Sequence, residues 1–248
     1  MDRSYWEKIA PDYNEEIFDV LHQDKQGIIR KTIRQLGDPS KTVMDAGCAI
    51  GKWLPVLSPF FRKVIAVDIS ARNLAIAKKN HPALSNIEFL RADLSSGSTR
   101  LPLADINICI NAILTDSMKK RDAFFKNLAS STRKGGALVL VVPSLESYLF
   151  TRIVQHKWKI DRSLFNERLS AKKGLEKYRN VQQGNMDIDQ VPTKHYVKEE
   201  LMLLLDQVGF DIEKTRKIEY DWETEFVKPP RWLSQPRPWD WMVVARKR

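Results

Sequence analysis

A short turn between two apolar runs limits the folds open to this chain more than any other feature. Residues 43–46 are largely apolar, small residues stand at positions 46, 47, 49 and 51, and a second apolar run over 64–68 ends in an acid. Small residues let the backbone approach a ligand closely, and a helix that opens near Gly51 points free amide hydrogens at the turn. The pattern therefore predicts a strand, tight turn, helix and second strand that form one βαβ unit with a ligand at its turn.

The acid that ends the second run, Asp68, follows Gly51 by 17 residues. This spacing is typical of a carboxylate that accepts both hydroxyl groups of a ribose. A dinucleotide-binding turn has the pattern G-x-G-x-x-G, whereas residues 45–51 read D-x-G-x-A-x-G. The turn thus favours a ligand that contains a nucleoside and disfavours an NAD-dependent oxidoreductase.

The turn resembles the first motif, D/E-x-G-x-G-x-G, of class I S-adenosylmethionine (SAM) dependent methyltransferases. It departs from the motif at Ala49, where the family most often has glycine. An alanine is tolerable there if its φ is negative, although its methyl group narrows the space beside the cofactor. A carboxylate at Asp45 suits the cationic methionine end of SAM better than it suits a pyrophosphate.

The resemblance extends over residues 1–143 and 195–248. Asp93 ends a run that resembles the family's third strand, where an acid lies beside the adenine amino group. The opening of the chain resembles the leading helix of small-molecule methyltransferases of the ubiquinone and menaquinone biosynthesis type. The other matching segments are a fourth strand over 105–112, a turn and fifth strand over 133–143, and the helix before strand six over 195–210.

The resemblance implies an α/β fold with a Rossmann-like, seven-stranded, mostly parallel sheet, helices on both faces and an inserted helical lid after strand five. We expect one methyltransferase domain over 1–248, in which strand seven lies antiparallel between strands five and six. Helices are expected in 1–40 and the lid in 144–194. A Pro- and Trp-rich connection, 219–238, joins the last two strands because its four prolines preclude a helix or central strand.

SAM is the cofactor that the resemblance implies, and its expected contacts come from the turn, the ends of neighbouring strands and the leading segment. No metal site is expected, since the two cysteines, Cys48 and Cys109, make no cluster. The predicted cofactor-binding residues are Tyr13, Asp45, Ala46, Gly47, Cys48, Gly51, Trp53, Asp68, Ile69, Asp93, Leu94 and Asn111.

Methyl transfer from a sulfonium is an in-line displacement that depends mainly on positioning and on exclusion of water. If the acceptor is a hydroxyl or carbon acid, a general base helps, and the candidates are His195, His156 and Tyr148. A structural role at a helix start is the alternative for His195. The aromatic residues of the lid favour a bulky or partly apolar acceptor: Tyr148, Phe150, His156, Trp158, Phe165 and Tyr178.

The net charge of +10 comes from 41 basic and 31 acidic residues. It would suit an RNA, an acidic lipid surface or an anionic substrate, but the basic residues form short dispersed pairs that are typical of a solvated surface. No apolar run reaches the length of a membrane span and no signal sequence opens the chain, so we expect a cytoplasmic protein. The sequence favours a small-molecule acceptor and leaves two alternatives open, an RNA or protein methyltransferase and a SAM-binding protein without transfer activity. It indicates no oligomeric state.

Overall fold

The computed structural model describes residues 1–161, 170–188 and 190–248, and strands and helices alternate through its central part. The described helices are α1 (Arg3–Ile9), α2 (Tyr13–Glu16), α3 (Val20–Gln23), α4 (Ile28–Leu36), α5 (Leu54–Leu57), α6 (Ala71–Asn80), α7 (Met118–Ser131), α8 (Leu145–Trp158), α9 (Ala171–Gln182) and α10 (Lys198–Gln207). The described strands are β1 (Asp38–Ala46), β2 (Phe61–Asp68), β3 (Ile87–Arg91), β4 (Ala104–Ile110), β5 (Thr132–Pro143), β6 (Asn185–Ile188), β7 (Val191–Lys194), β8 (Phe210–Glu219) and β9 (Trp239–Lys247).

Seven of these strands form one sheet in the order β3-β2-β1-β4-β5-β9-β8. Strands β1 to β5 are parallel, and β9 pairs antiparallel with both β5 and β8. This confirms the predicted Rossmann-like fold, in which the last strand of the sheet, β9, is inserted between its fifth strand, β5, and its sixth strand, β8. The order reverses between β1 and β4, and ligands of open α/β sheets bind at the carboxyl ends of the strands at such a point.

The central strands are apolar on both faces because helices cover the sheet on each side. Successive residues of β1 point to opposite faces, so Met44 packs in one core cluster and Val43 in the other. Both side chains are fully buried. The two cores hold the carboxyl ends of β1, β2 and β4 in a fixed relation, and these ends carry the candidate site.

Two local predictions had different outcomes. Ser70 caps α6 as predicted, because its Oγ accepts a hydrogen bond from the backbone N–H of Asn73 at 3.1 Å. The helix expected from Trp53 to about Phe61 is much shorter, since α5 ends at Leu57 and a 3₁₀ turn over Ser58–Phe60 follows. Pro59 lacks the N–H that a continued helix needs, and β2 begins directly after this turn.

The segment predicted to be a helical lid is partly a β-hairpin. Besides α8 and α9 it contains β6 and β7, which pair antiparallel. Phe165, one of the aromatic residues predicted for the lid, lies outside the described residues. In the 219–238 connection, the described structure contains a 3₁₀ turn, Trp222–Thr224, ahead of the first proline. Among the helices that the structure describes, none is long and apolar enough to cross a membrane.

Candidate functional site

A cavity lies at the carboxyl ends of the central strands, beside the glycine-containing turn. Residues of the N-terminal segment, the turn and the loops after β2, β3 and β4 form its walls. Five of the predicted cofactor residues are buried and are not among the residues that line the cavity: Asp45, Ala46, Cys48, Gly51 and Trp53. The other seven line the cavity: Tyr13, Gly47, Asp68, Ile69, Asp93, Leu94 and Asn111.

The turn is closed by backbone hydrogen bonds and by close packing. The N–H groups of Gly47 and Cys48 both donate to the carbonyl of Val67, at 2.8 and 2.9 Å. Gly47 has φ +84°, and a Cβ placed on it would lie 2.4 Å from Cβ of Ala112. Glycine is required at position 47 for two reasons, the left-handed backbone and the approach of the loop after β4.

Ala49 does not meet the condition of a negative φ under which alanine is tolerated without strain, because this residue has φ +46°. Its N–H donates to Oδ2 of Asp68 at 2.9 Å, which holds the turn against the end of β2. A left-handed residue with a Cβ costs about 1–2 kcal/mol. The hydrogen bond to a buried carboxylate offsets that cost and explains how alanine occupies the position.

Asp68 organises the cavity wall through both of its carboxylate oxygens. Oδ1 accepts from the N–H of Ser70 at 2.8 Å and from the side-chain amide of Asn73 at 3.4 Å, in addition to the Ala49 contact on Oδ2. A carboxylate offers about four acceptor positions. Protein donors fill three of them, so a ligand hydroxyl finds a preorganised acceptor with limited free capacity. Burial raises the pKa of Asp68 above its usual value.

Asp45 is a second buried carboxylate, behind the turn. Burial and the nearby charge of Asp68 raise the pKa of Asp45 to about 7. Within the described part of the chain its Oδ2 has no hydrogen-bond partner, and such an orphaned buried acceptor costs about 1–3 kcal/mol. A cationic group bound at the turn would offset this cost, and the methionine end of SAM carries such a group.

The N-terminal helix covers one side of the cavity. Glu7 of α1 accepts hydrogen bonds from Oγ of Ser70 at 3.1 Å and from the backbone N–H groups of Ala71 and Arg72 at 2.9 and 3.1 Å. These contacts fasten α1 to the start of α6, where a carboxylate is favoured by the helix dipole. Trp6 of α1 therefore lies in the cavity wall beside Asp2. Sequence reasoning identified the leading helix but missed these two residues, since their position depends on a contact 63 to 65 residues away.

The loop after β4 and the first two turns of α7 supply five further wall residues that the sequence reasoning missed. The loop contributes apolar and hydroxyl side chains to the cavity, and one exposed lysine stands at the start of α7. The sequence signal that would find them is their position directly after the fourth strand. They are Ala112, Leu114, Thr115, Lys120 and Phe124.

The candidate bases are placed differently from one another, and they stand outside the described wall of the cavity. His195 is buried, its Nδ1 lies 3.0 Å from the carbonyl oxygen of Thr193, and its ring centroid is 5.2 Å from that of Tyr148. Burial lowers the pKa of His195 to about 4, so the imidazole is neutral at physiological pH. His156 is exposed on α8. The structure thus brings His195 and Tyr148 together and separates His156 from them.

The sheet order and the buried carboxylates around the turn define a Rossmann-like domain with a ligand cavity at its switch point. Residues 43–136 match the family model described as a methyltransferase domain. The match covers the glycine-containing turn, Asp68 and the strands around them, so this segment of the chain is similar to a methyltransferase domain. The sequence matches none of the curated protein sequences with which it was compared.

Solved structures agree with this fold at low sequence identity. A SAM-dependent methyltransferase from Anabaena variabilis has a TM-score of 0.66 and 17% identity, with 99% of this chain and 93% of that chain covered. DhpI in complex with S-adenosylhomocysteine (SAH) has a TM-score of 0.62 and 17% identity, covering 98% and 94%. The N-methyltransferase NodS from Bradyrhizobium japonicum, also with SAH, has a TM-score of 0.61 and 11% identity, covering 99% and 97%. At these identities the likeness concerns the fold.

Proposed function

We propose that the protein transfers a methyl group from SAM to a small-molecule acceptor. The observation that carries this proposal is the N-terminal side of the cavity, where Trp6 and Tyr13 line the same cavity as Gly47 of the glycine turn. With α1 fastened to α6 through Glu7, an acceptor must be small enough to enter beside these side chains. A macromolecular surface would need the cover to move away.

Three groups of residues would hold the cofactor in this proposal. Asp68 accepts a hydrogen bond from a ribose hydroxyl at its remaining acceptor position, Asp93 and Leu94 border the adenine, and Asp45 balances the positive charge at the methionine end. SAM supplies an activated methyl group, so the protein must mainly orient the acceptor and exclude water. The near-complete burial of Asp45 and Asp68 is consistent with a dry site.

The acceptor in this proposal is bulky, partly apolar and anionic. Trp6, Leu114 and Phe124 supply apolar wall, and Lys120 adds a cation to the same cavity. The resemblance of the leading helix to ubiquinone-type methyltransferases supports an acceptor of this kind. A small molecule with a ring and an acidic group would satisfy both parts of the wall.

We extend the proposal to the inserted segment and to His195. Residues 144–194 would act as the lid of a single domain, since the N–H of Lys194 donates to the carbonyl of the wall residue Leu114 at 2.9 Å. His195 directly follows Lys194, a residue that is hydrogen-bonded to the cavity wall. If its Nδ1–H donates to Thr193, the unprotonated Nε2 is free to accept a proton from an acceptor hydroxyl, with Tyr148 packed beside the ring.

The test is to incubate the protein with SAM labelled in its methyl group and a metabolite extract, and to identify labelled products by mass. We expect a labelled small molecule and an equal amount of SAH. Label found only in RNA or protein fractions would replace this proposal with a macromolecular acceptor, and SAM binding without SAH formation would replace it with a binding protein. The variant His195→Gln should lower kcat with little change in SAM affinity, and His156→Gln is its matched control.

A further inference from the structure

Three hydrogen-bonded polar side chains join the loop after β4 to the last two strands, β8 and β9, and two of the three are buried. The side-chain amide of Asn111 donates to Oδ2 of Asp240 at 2.9 Å, and the hydroxyl of Tyr220 donates to the same oxygen at 2.8 Å. Asp240 and Tyr220 are 8% and 3% exposed. The two residues come from the β8–β9 end of the chain, whereas Asn111 follows β4, so the group joins parts of the sequence 129 residues apart.

Asn111 connects this group to the cavity. It lines the cavity and has φ +46°, a left-handed conformation that costs free energy unless contacts hold it. Its N–H donates to the carbonyl of Val141 at 2.9 Å. The next residue, Ala112, is the one whose Cβ would lie 2.4 Å from a Cβ placed on Gly47, so that only glycine fits there. The position of Asn111 therefore sets how the loop after β4 meets the glycine turn.

We infer that Asp240 is a positioning residue that holds the Asn111 side chain, and with it the cavity wall, in the arrangement that binds SAM. The inference rests on the proposed function for the identity of the ligand. Tyr220 supports Asp240 through its own hydrogen bond to Oδ2, and its ring packs edge-on against Phe18 with the centroids 4.7 Å apart. The contact with Phe18 couples the group to the N-terminal segment.

The chemistry of the group defines the orientation of the amide. An ionised carboxylate only accepts hydrogen bonds, so it selects the NH₂ end of Asn111. Burial raises the pKa of Asp240 to about 6, which leaves mainly the carboxylate at pH 7.5. The amide oxygen of Asn111 then points elsewhere, and among the described residues it has no hydrogen-bond partner.

The geometry allows a test that separates position from charge. Both hydrogen bonds end on one oxygen of Asp240, and an amide oxygen can also accept two. Asp240→Asn therefore keeps both contacts and removes the charge, whereas Asp240→Ala removes both contacts. We expect SAM affinity, measured by calorimetry at pH 7.5, to fall at least tenfold in Asp240→Ala and to stay within about threefold in Asp240→Asn. Asp221→Ala, a nearby acid paired with Arg237 at 2.8 Å, is the matched control and should leave the affinity unchanged.

Hydrogen exchange of the Asn111 side chain, measured by NMR, tests the same contact without SAM. The side-chain NH₂ resonances of Asn111, assigned with Asn111→Ala, should be protected from exchange in the wild type and in Asp240→Asn, and exposed in Asp240→Ala. If Asp240→Ala fails to fold, Tyr220→Phe replaces it in the test. This variant should weaken the protection of the Asn111 NH₂ group from exchange while leaving the position of its resonances unchanged.

Each outcome decides a different claim. Equal loss of affinity in Asp240→Asn and Asp240→Ala would overturn the positioning role in favour of charge, and unchanged protection in Asp240→Ala would overturn the contact itself. A wild type that binds no SAM would refute the proposed function, while the NH₂ resonances would still decide whether Asp240 positions Asn111.

Discussion

The substitution Gly47→Ala tests the close approach on which the glycine turn depends. Two separate costs follow from the structure. The left-handed backbone at φ +84° adds about 1–2 kcal/mol once a Cβ is present. The contact of the new Cβ with Cβ of Ala112 at 2.4 Å is overpacking in a tight site, which costs about 1–3 kcal/mol. The free energy of unfolding should therefore fall by about 2–5 kcal/mol before the gain described next.

Gly135→Ala is the matched control. Gly135 also has a left-handed backbone, at φ +73°, but apart from its chain neighbours no atom of the described structure lies within 4 Å of the Cβ position. Replacing glycine also reduces the entropy of the unfolded chain, by about 0.5–1 kcal/mol in both variants. The difference between the two variants thus isolates the contact with Ala112 and should be about 1–3 kcal/mol.

A second substitution supplies the rescue. In the double variant Gly47→Ala/Ala112→Gly the nearest remaining atom of residue 112 is its Cα, 3.7 Å away, an ordinary contact distance. Urea unfolding followed by tryptophan fluorescence measures all four proteins, and calorimetry measures their SAM affinity. Equal destabilisation by Gly47→Ala and Gly135→Ala, or a double variant no more stable than Gly47→Ala, would refute the reasoning.

Three further changes test the turn and its carboxylates. Ala49→Gly should raise the free energy of unfolding by up to about 1 kcal/mol, because relief of about 1–2 kcal/mol of left-handed strain exceeds the cost of the added unfolded-state entropy. A higher melting temperature with retained SAM binding is the expected result, and a lower melting temperature contradicts the prediction. Asp68→Ala should weaken SAM binding by about 1.5–3 kcal/mol, seen by calorimetry against Asp221→Ala as control. The pKa of Asp45 is raised to about 7, so the unfolded chain ionises first and wild-type stability should fall as pH rises from about 4 to 7. Asp45→Asn should remove this part of the pH dependence, and an identical urea-midpoint profile in both proteins would show that Asp45 does not cause it.

Local patterns were sufficient for the framework of the fold. The apolar strands, the turn over 45–51 and the acid at position 68 are neighbours in sequence, and strand and turn propensities act over such distances. The cap of α6 at Ser70 is equally local. For these reasons the alternation of strands and helices in a mostly parallel sheet could be predicted from local patterns, whereas the position of the last strand came from the family resemblance.

The insertion was harder to predict because its elements depend on distant partners. The hairpin of β6 and β7 is hydrogen-bonded to the loop after β4, because the N–H of Lys194 donates to the carbonyl of Leu114. Beyond the hairpin, Tyr196 forms a β-bridge with Ser144. The pairing of Tyr148 with His195 likewise joins α8 to a residue that follows β7. Neither contact leaves a periodic signal in the sequence.

The sequence by itself determined the class of fold and the chemical character of the turn, because both follow from residue types at short, regular spacing. Only the tertiary structure decided the left-handed backbone of Ala49, which depends on a hydrogen bond to Asp68 across 19 residues. It also decided that Glu7 would close α1 over the cavity and that Asp240 would reach Asn111. These contacts join groups far apart in the chain, and only packing around the sheet brings such groups within hydrogen-bond distance.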